Sequence, residues 1–269
     1  MNKQLFEEHR DVPVISLRGL CFSYADSPLI LSDINLDVVS GEFVCFLGQS
    51  GCGKSTLLRL LAGLEVPTAG EILLDNQKIS GASLDRGVVF QDYGLFPWLT
   101  AGENIKLALE QKFPKLSKTQ YRQRALEALK KVGLDESVYT KLPKALSGGM
   151  KQRCAIAQAF AIEPSILLMD EPFGALDAVT RARLQDMLLE LWSGQLPKKT
   201  VLFVTHDVDE AILLANRIIV LGQSPSRIIY ECSIPDGKKP TRDTQFEDIE
   251  FLRLRNELIR HINKDISSH

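Results

Sequence analysis

Nowhere in its 269 residues does the chain run to the roughly 18 continuous apolar residues that cross a bilayer. Its first residues, Met1 to Pro13, are charged and lack the apolar core of a signal peptide. These two absences lead to the expectation of a soluble, intracellular chain that reaches a membrane only through a partner. Five cysteines are present (Cys21, Cys45, Cys52, Cys154 and Cys232), with no C-x-x-C pair among them. An odd number without close pairs argues against a disulfide framework or a zinc site and fits reduced thiols. An excess of basic charge is also missing. Lys and Arg number 32 against 34 Asp and Glu, for a net charge of −2, whereas a surface built to neutralise nucleic-acid backbones is usually far more basic. No nucleic-acid partner is expected. Internal repeats and low-complexity tracts are absent, so each motif occurs once. What remains, 45% hydrophobic and 25% charged, is ordinary globular composition. The length suggests about two domains, or one with a large insertion.

The first third reads as strands. Val14 to Tyr24 and Ile34 to Val38 alternate loosely, as half-buried antiparallel strands do. Phe43 to Leu47 is a continuous apolar run leading into glycines, the pattern of a buried parallel strand. Ile166–Met169, Val201–Val204 and Ile218–Leu221 repeat it, with helical patterns between the first two and before the last. That alternation predicts a parallel sheet wrapped in helices. Between Asp92 and Pro164 the strand signal disappears. Ser117 and Gln120 have capping-box spacing with Gly133 as the stop, and a second helix starts at Ser147 and ends before Pro164. This second helix carries Met150, Cys154, Ala157 and Ala161 on one face. Asp236 to Arg242 reads as a polar linker, followed by an amphipathic helix marked by Ile249, Leu252, Ile259 and Ile262.

Gly48-Gln49-Ser50-Gly51-Cys52-Gly53-Lys54-Ser55 fits G-x-x-x-x-G-K-[ST], with a strand before it and an apolar helix after. The glycines let successive N–H groups point inward around phosphate oxygens. Lys54 would reach the β- and γ-phosphates, Ser55 would ligate Mg²⁺, and Thr56 would add a donor for the α-phosphate. The run Ile166–Met169 delivers Asp170 and Glu171 at its C-terminal end, where parallel α/β sheets bind ligands. Alone, such a pair is commonly a helix cap. Beside a phosphate loop it reads as a carboxylate holding Mg²⁺ through water, Asp170, and a general base, Glu171. Ser147-Gly148-Gly149 opens a helix with exposed N–H donors at its positive end, which is either a plain cap or a second anion site.

Taken together, these motifs resemble the ATP-binding subunits of ABC transporters over nearly the whole chain. Leu146 to Gly149 match the family signature, Gln91 the Q-loop glutamine, Leu176-Asp177 the D-loop, and His206 the switch histidine. Tyr24 matches the aromatic residue that stacks on adenine. Met150 departs from the glutamine usual after the two glycines, so any contact by that side chain is lost. Met150-Lys151-Gln152-Arg153, Phe173 to Asp177, Thr205 to Ala211 and Leu95 to Thr100 resemble the nitrate/sulfonate/taurine importers. The resemblance implies a P-loop, RecA-like α/β core, an N-terminal antiparallel β-subdomain and an inserted helical subdomain. An ATPase domain would span residues 1–235, with the insertion at about 92–164, and residues 236–269 would form the linker and terminal helix.

It further implies ATP and Mg²⁺ as cofactors, with Gln91 touching metal and water and His206 touching the γ-phosphate. Ser147 and Gly149 of a second subunit, in a homodimer, would close over the nucleotide. Membrane permease subunits and an extracytoplasmic solute-binding protein would complete the system, which places the chain at the cytoplasmic face of the membrane. The alternatives are a soluble ABC ATPase of the DNA-repair or translation type, a non-hydrolysing regulator, an exporter subunit, or a cassette of another importer class. Two residue readings stay open. The stretch Tyr93 to Leu99 is either a partner surface or part of the helical core. Cys52 is either a thiolate activated by the phosphate-binding field or a small residue with its sulfur turned inward.

Overall fold

A computed structural model describes residues 12–25, 27–174, 176–194, 197–235 and 238–267. Met1 to Asp11 of the charged start, Ala175 beside the Leu176-Asp177 pair, and Asp236 and Gly237 of the expected linker lie outside the described residues.

Strands β1 (Pro13–Phe22), β2 (Leu31–Val39), β3 (Phe43–Leu47), β4 (Ala69–Leu74), β5 (Gln77–Lys78) and β6 (Arg86–Val89) come first. They are followed by β7 (Ile166–Asp170), β8 (Thr200–Thr205), β9 (Arg217–Leu221) and β10 (Ile228–Ser233). One four-stranded antiparallel sheet has the order β2-β1-β4-β5. The other has six strands in the order β10-β9-β3-β8-β7-β6, parallel except for the edge strand β10. The continuous apolar runs are the fully buried strands β3, β7 and β8, and β9 is buried beyond its first residue. β2 instead alternates buried and exposed residues, as a sheet with one wet face requires.

Strand side chains alternate between two cores. Val44, Phe46, Leu168, Leu202, Val204 and Ile219 point to one side and Cys45, Leu47, Met169, Phe203, Ile218 and Val220 to the other. On the first side lies α1 (Lys54–Ala62), whose buried Leu57, Leu58, Leu60 and Leu61 fill the space between the parallel sheet and the antiparallel one. The second side carries α2 (Ala101–Lys112), α3 (Lys118–Lys131), α4 (Gly148–Ala161), α5 (Ala178–Ser193) and α6 (Val208–Leu214).

Local chemistry sets the helix ends. Ser117 and Gln120 form the expected capping box of α3, and Gly133 follows at φ +69°. Thr100 and Glu103 form a second box at the start of α2. Ser147 caps α4, where Cys154 and Ala157 are buried and Met150 and Ala161 half-buried. In the last helix, α7 (Ile249–Ser267), the expected stripe holds in the second half, where Ile259 is half-buried and Ile262 packs against the core, but not in the first. Phe251, Leu254, Leu258 and Ile262 face the core, while Ile249 and Leu252 are exposed. Spacings of three and four residues keep the former set on one stripe. No helix among the described residues is long and apolar enough to cross a membrane.

Candidate functional site

The parallel register brings the C-terminal ends of the central strands level: Leu47 pairs with Thr205, and Asp170 with Val204. The loops that follow β3, β7 and β8 therefore open at one edge. After β3 the chain curls through Gly51 at φ +82° and Gly53 at φ +95°, values that only glycine adopts without cost. Gly53 also sits against Ile30, where a Cβ would lie 2.8 Å from that side chain.

Lys54 is buried and its Nζ donates to the carbonyls of Gly48 at 2.9 Å and Gln49 at 2.8 Å. The same nitrogen lies 4.0 Å from Oε1 of Glu171. Ser55 Oγ donates to Oδ1 of Asp170 at 2.9 Å. Burial raises the Asp170 pKa above the usual carboxylate range, and the Ser55 bond opposes that shift. Glu171 follows at φ +43°, an uncommon conformation for a residue with a side chain and one that concentrates at functional sites. Its N–H donates to Val204 O at 3.1 Å, and its Oε2 lies 3.2 Å from Nδ1 of His206. One carboxylate thus stands between a lysine ammonium and an imidazole.

Among the described residues no group of three or more His, Cys, Asp or Glu could hold a metal on its own. The Ser55 and Asp170 oxygens do fit Mg²⁺, a hard cation commonly held by one or two protein oxygens together with substrate phosphates and water.

The signature residues are held by a different pair of elements. Ser147 Oγ accepts the N–H of Met150 at 3.3 Å, and a Cβ on Gly149 would lie 2.6 Å from the Thr180 methyl of α5. Asp177 caps α5, accepting the N–H groups of Val179 at 3.1 Å and Thr180 at 3.0 Å. Those bonds hold its pKa below the ordinary range. Gln91 follows β6 and is exposed, as are Ser50, Gly51 and Ser55 of the loop; Gln49 and Gly53 are half-buried and Gly48 and Thr56 buried. Tyr24 is also exposed and meets Phe22 edge-on with centroids 4.8 Å apart.

The structure bears on both open residue readings. Cys52 is buried, with its sulfur 2.8 Å from where a Cβ on Gly48 would stand. Desolvation raises its pKa against the opposing pull of Lys54, which favours the inward sulfur over the activated thiolate. The stretch Tyr93 to Leu99 divides: Tyr93 and Leu95 pack against the helical core, whereas Trp98 is 72% exposed and Phe96 40%, their rings 5.5 Å apart. Arg181 and Gln185, beside the His206 turn, lie in no motif of the sequence, and Glu210 lies in the Thr205 to Ala211 stretch with no role assigned to it there. The one local hint is the capping spacing from Asp207 to Glu210, whose N–H bonds Asp207 at 3.2 Å.

The ABC transporter family model matches residues 31–174, from β2 through the carboxylates after β7. The chain belongs to the ABC transporter family. This cassette is 47% identical over 243 residues to the nitrate import ATP-binding protein NrtD of Synechococcus elongatus, covering 90% of this chain and 88% of that one. It is 44% identical over 228 residues to the bicarbonate transport ATP-binding protein CmpD of the same organism, covering 84% and 81%. A dimeric ATP-binding cassette solved in a post-hydrolysis state with ADP and Pi superposes with a TM-score of 0.73 at 36% identity, covering 82% of this chain and 99% of that one. The cassette has the fold of that family and is an ATPase.

Proposed function

We propose that this cassette hydrolyses MgATP as half of a homodimer and thereby drives uptake of a small oxyanion through membrane permease subunits. The observation that carries the mechanism is the placement of Glu171 between Lys54 and His206. The loop N–H groups of residues 48 to 53, with Lys54, hold the β- and γ-phosphates, and Thr56 adds a donor for the α-phosphate. Ser55, Asp170 and Gln91 would hold Mg²⁺, which would supply positive charge to the phosphates. Glu171 accepts the proton of the attacking water, and His206, 3.2 Å away, contacts the γ-phosphate and keeps the carboxylate oriented. Tyr24 stacks on adenine. Ser147, Gly148 and Gly149 of the second subunit close the site with the N-terminal dipole of α4, and Asp177 lies at that joint. Because each chain carries one of each half, a two-fold dimer completes two sites.

The import role and the oxyanion class rest on the names of the similar nitrate and bicarbonate subunits. The cassette domain covers residues 1–235 with the helical insertion at about 92–164, and the chain sits peripherally on the cytoplasmic face. The exposed Phe96 and Trp98 form the surface that receives a permease. A solute-binding protein on the far side would deliver the anion.

Glu171→Gln keeps the shape while removing the base, so it should retain MgATP and accumulate as a closed dimer in sedimentation. Lys54→Ala should lose both ATP binding and dimerisation. Wild-type turnover in Glu171→Gln would overturn the base assignment. In cells lacking the gene, uptake of nitrate or bicarbonate should fall, and unaltered uptake of both would refute the oxyanion reading. Trp98→Ala should fail to restore that uptake while binding ATP normally; full restoration would remove the permease surface from Trp98.

A further inference from the structure

The turn that carries His206 is held from below by one buried carboxylate. Thr205 Oγ1 donates to Oε2 of Glu210 at 2.7 Å and accepts the N–H of Asp207 at 3.0 Å. Both neighbours of His206 therefore hang on Glu210, which is 7% exposed. The other carboxylate oxygen accepts Nε2 of Gln185 at 3.0 Å, and Gln185 Oε1 accepts a guanidinium nitrogen of Arg242 at 3.1 Å. A carboxylate there can only accept and a guanidinium can only donate, so the Gln185 amide is fixed in one orientation between them. The same Arg242 nitrogen also lies 3.0 Å from Ala182 O and 2.8 Å from Oδ1 of Asp186, which locks it to α5. Arg181 stands 3.8 Å from both Asp207 and Glu210 and supplies charge to the network, without a hydrogen bond to either. A second brace comes from α7: Arg255 Nε donates to Oδ1 of Asp209 at 2.8 Å, on the first turn of α6. Both arginines lie beyond the residues the family model matches.

We infer that Arg242 is a positioning residue for His206. Through Gln185, Glu210 and Thr205 it fixes the turn so that Nδ1 of His206 stays within reach of Glu171. The C-terminal segment is thereby part of the hydrolytic machinery without touching nucleotide. This rests on the assignment of Glu171 and His206 as the hydrolytic pair.

The test is the full chain with Arg242→Ala, His206→Ala and the double variant. Arg242→Ala should lower kcat for ATP roughly tenfold, since small misplacements of a reacting group have effects of that order or larger, while KM for ATP stays unchanged because no phosphate-loop contact is altered. In the His206→Ala background the same substitution should lower kcat no further. Arg242→Lys, which keeps a donor for Gln185, should recover part of the loss. The His206 imidazole resonance, identified by its disappearance in His206→Ala, should shift in Arg242→Ala. Should Arg242→Ala unfold, Gln185→Met removes the relay at similar volume and should give the same pattern. An equal fall in kcat in both backgrounds, or an unmoved His206 resonance, overturns the positioning role. Wild-type turnover in His206→Ala would instead refute the hydrolytic pair, and the resonance would still decide whether Arg242 positions the ring.

Discussion

Within the phosphate loop, the thiol of Cys52 feels two opposing influences. Lys54 and two backbone N–H groups favour the thiolate, and burial against Gly48 disfavours it more strongly. Burial also pushes Cys154 up to about 12 and Cys232 to about 11, and raises the fully buried Cys45 well above its ordinary value. Cys21 and Cys232 are half-buried and the other three buried; with the Cys232 thiol raised by burial, Cys21, whose sulfur accepts the Asp33 N–H at 3.3 Å, is the favoured target. Brief maleimide treatment at neutral pH should label Cys21 first, leave ATPase activity largely intact, and show no protection by ATP. Peptide mapping of the labelled protein decides this; rapid, ATP-protected labelling of Cys52 would refute the inward sulfur. Lys54 and Ser55 were legible in the sequence through the phosphate-loop motif that opens α1, Asp170 and Glu171 as the carboxylates at the end of β7, and His206, just after β8, through the family resemblance. The link from Glu210 through Gln185 to Arg242 was not, because its two bonds join residues 25 and 57 positions apart, even though Glu210 itself lies in the Thr205 to Ala211 stretch.

At the scale of elements, α2 and α4 begin in the same way. Thr100 accepts the N–H of Glu103 at 3.2 Å, and Ser147 that of Met150 at 3.3 Å. Replacing either hydroxyl residue by alanine should cost about 1 kcal/mol of stability, the usual value of an N-cap. Only Ser147→Ala should also impair MgATP-driven dimerisation, because only α4 presents its N-terminus to a second subunit in the proposed dimer. Urea denaturation and sedimentation on both variants give the comparison, and equal dimerisation would reduce Ser147 to a structural cap. The sequence made α3 readable through Ser117, Gln120 and Gly133, yet α2 went unread despite its own box. Its buried stripe is narrow, chiefly Ala101, Ile105 and Leu109, and Gly102 in the first turn weakens the helical signal. β10 escaped for a related reason: an edge strand with no fully buried residue lacks the apolar run that marked β3, β7 and β8. For α7 the helix was evident and Ile262 lies on its core stripe, but Leu258 was missed and Ile249 wrongly included, since the partners of this helix are the distant α6, β9 and β10.

In the molecule as a whole, α1 belongs to both sheets at once. Its leucines share one core with Leu17 and Ile34 of the antiparallel sheet and with Phe46, Leu168 and Leu202 of the parallel sheet. Neither sheet can separate without exposing the helix that starts at Lys54, so the two should unfold in a single transition. Hydrogen exchange followed by mass spectrometry across a urea series should give coincident midpoints for β1–β2 and β7–β8 peptides, and ATP should move both together. Separate midpoints would show that α1 does not join them. Leu17→Ala, at a position with no exposed surface, should lower both midpoints, by about 2–5 kcal/mol of stability. An inherited lesion on the far side of the antiparallel sheet would then lower transport by reducing the number of folded molecules in the cell, while every survivor bound nucleotide normally.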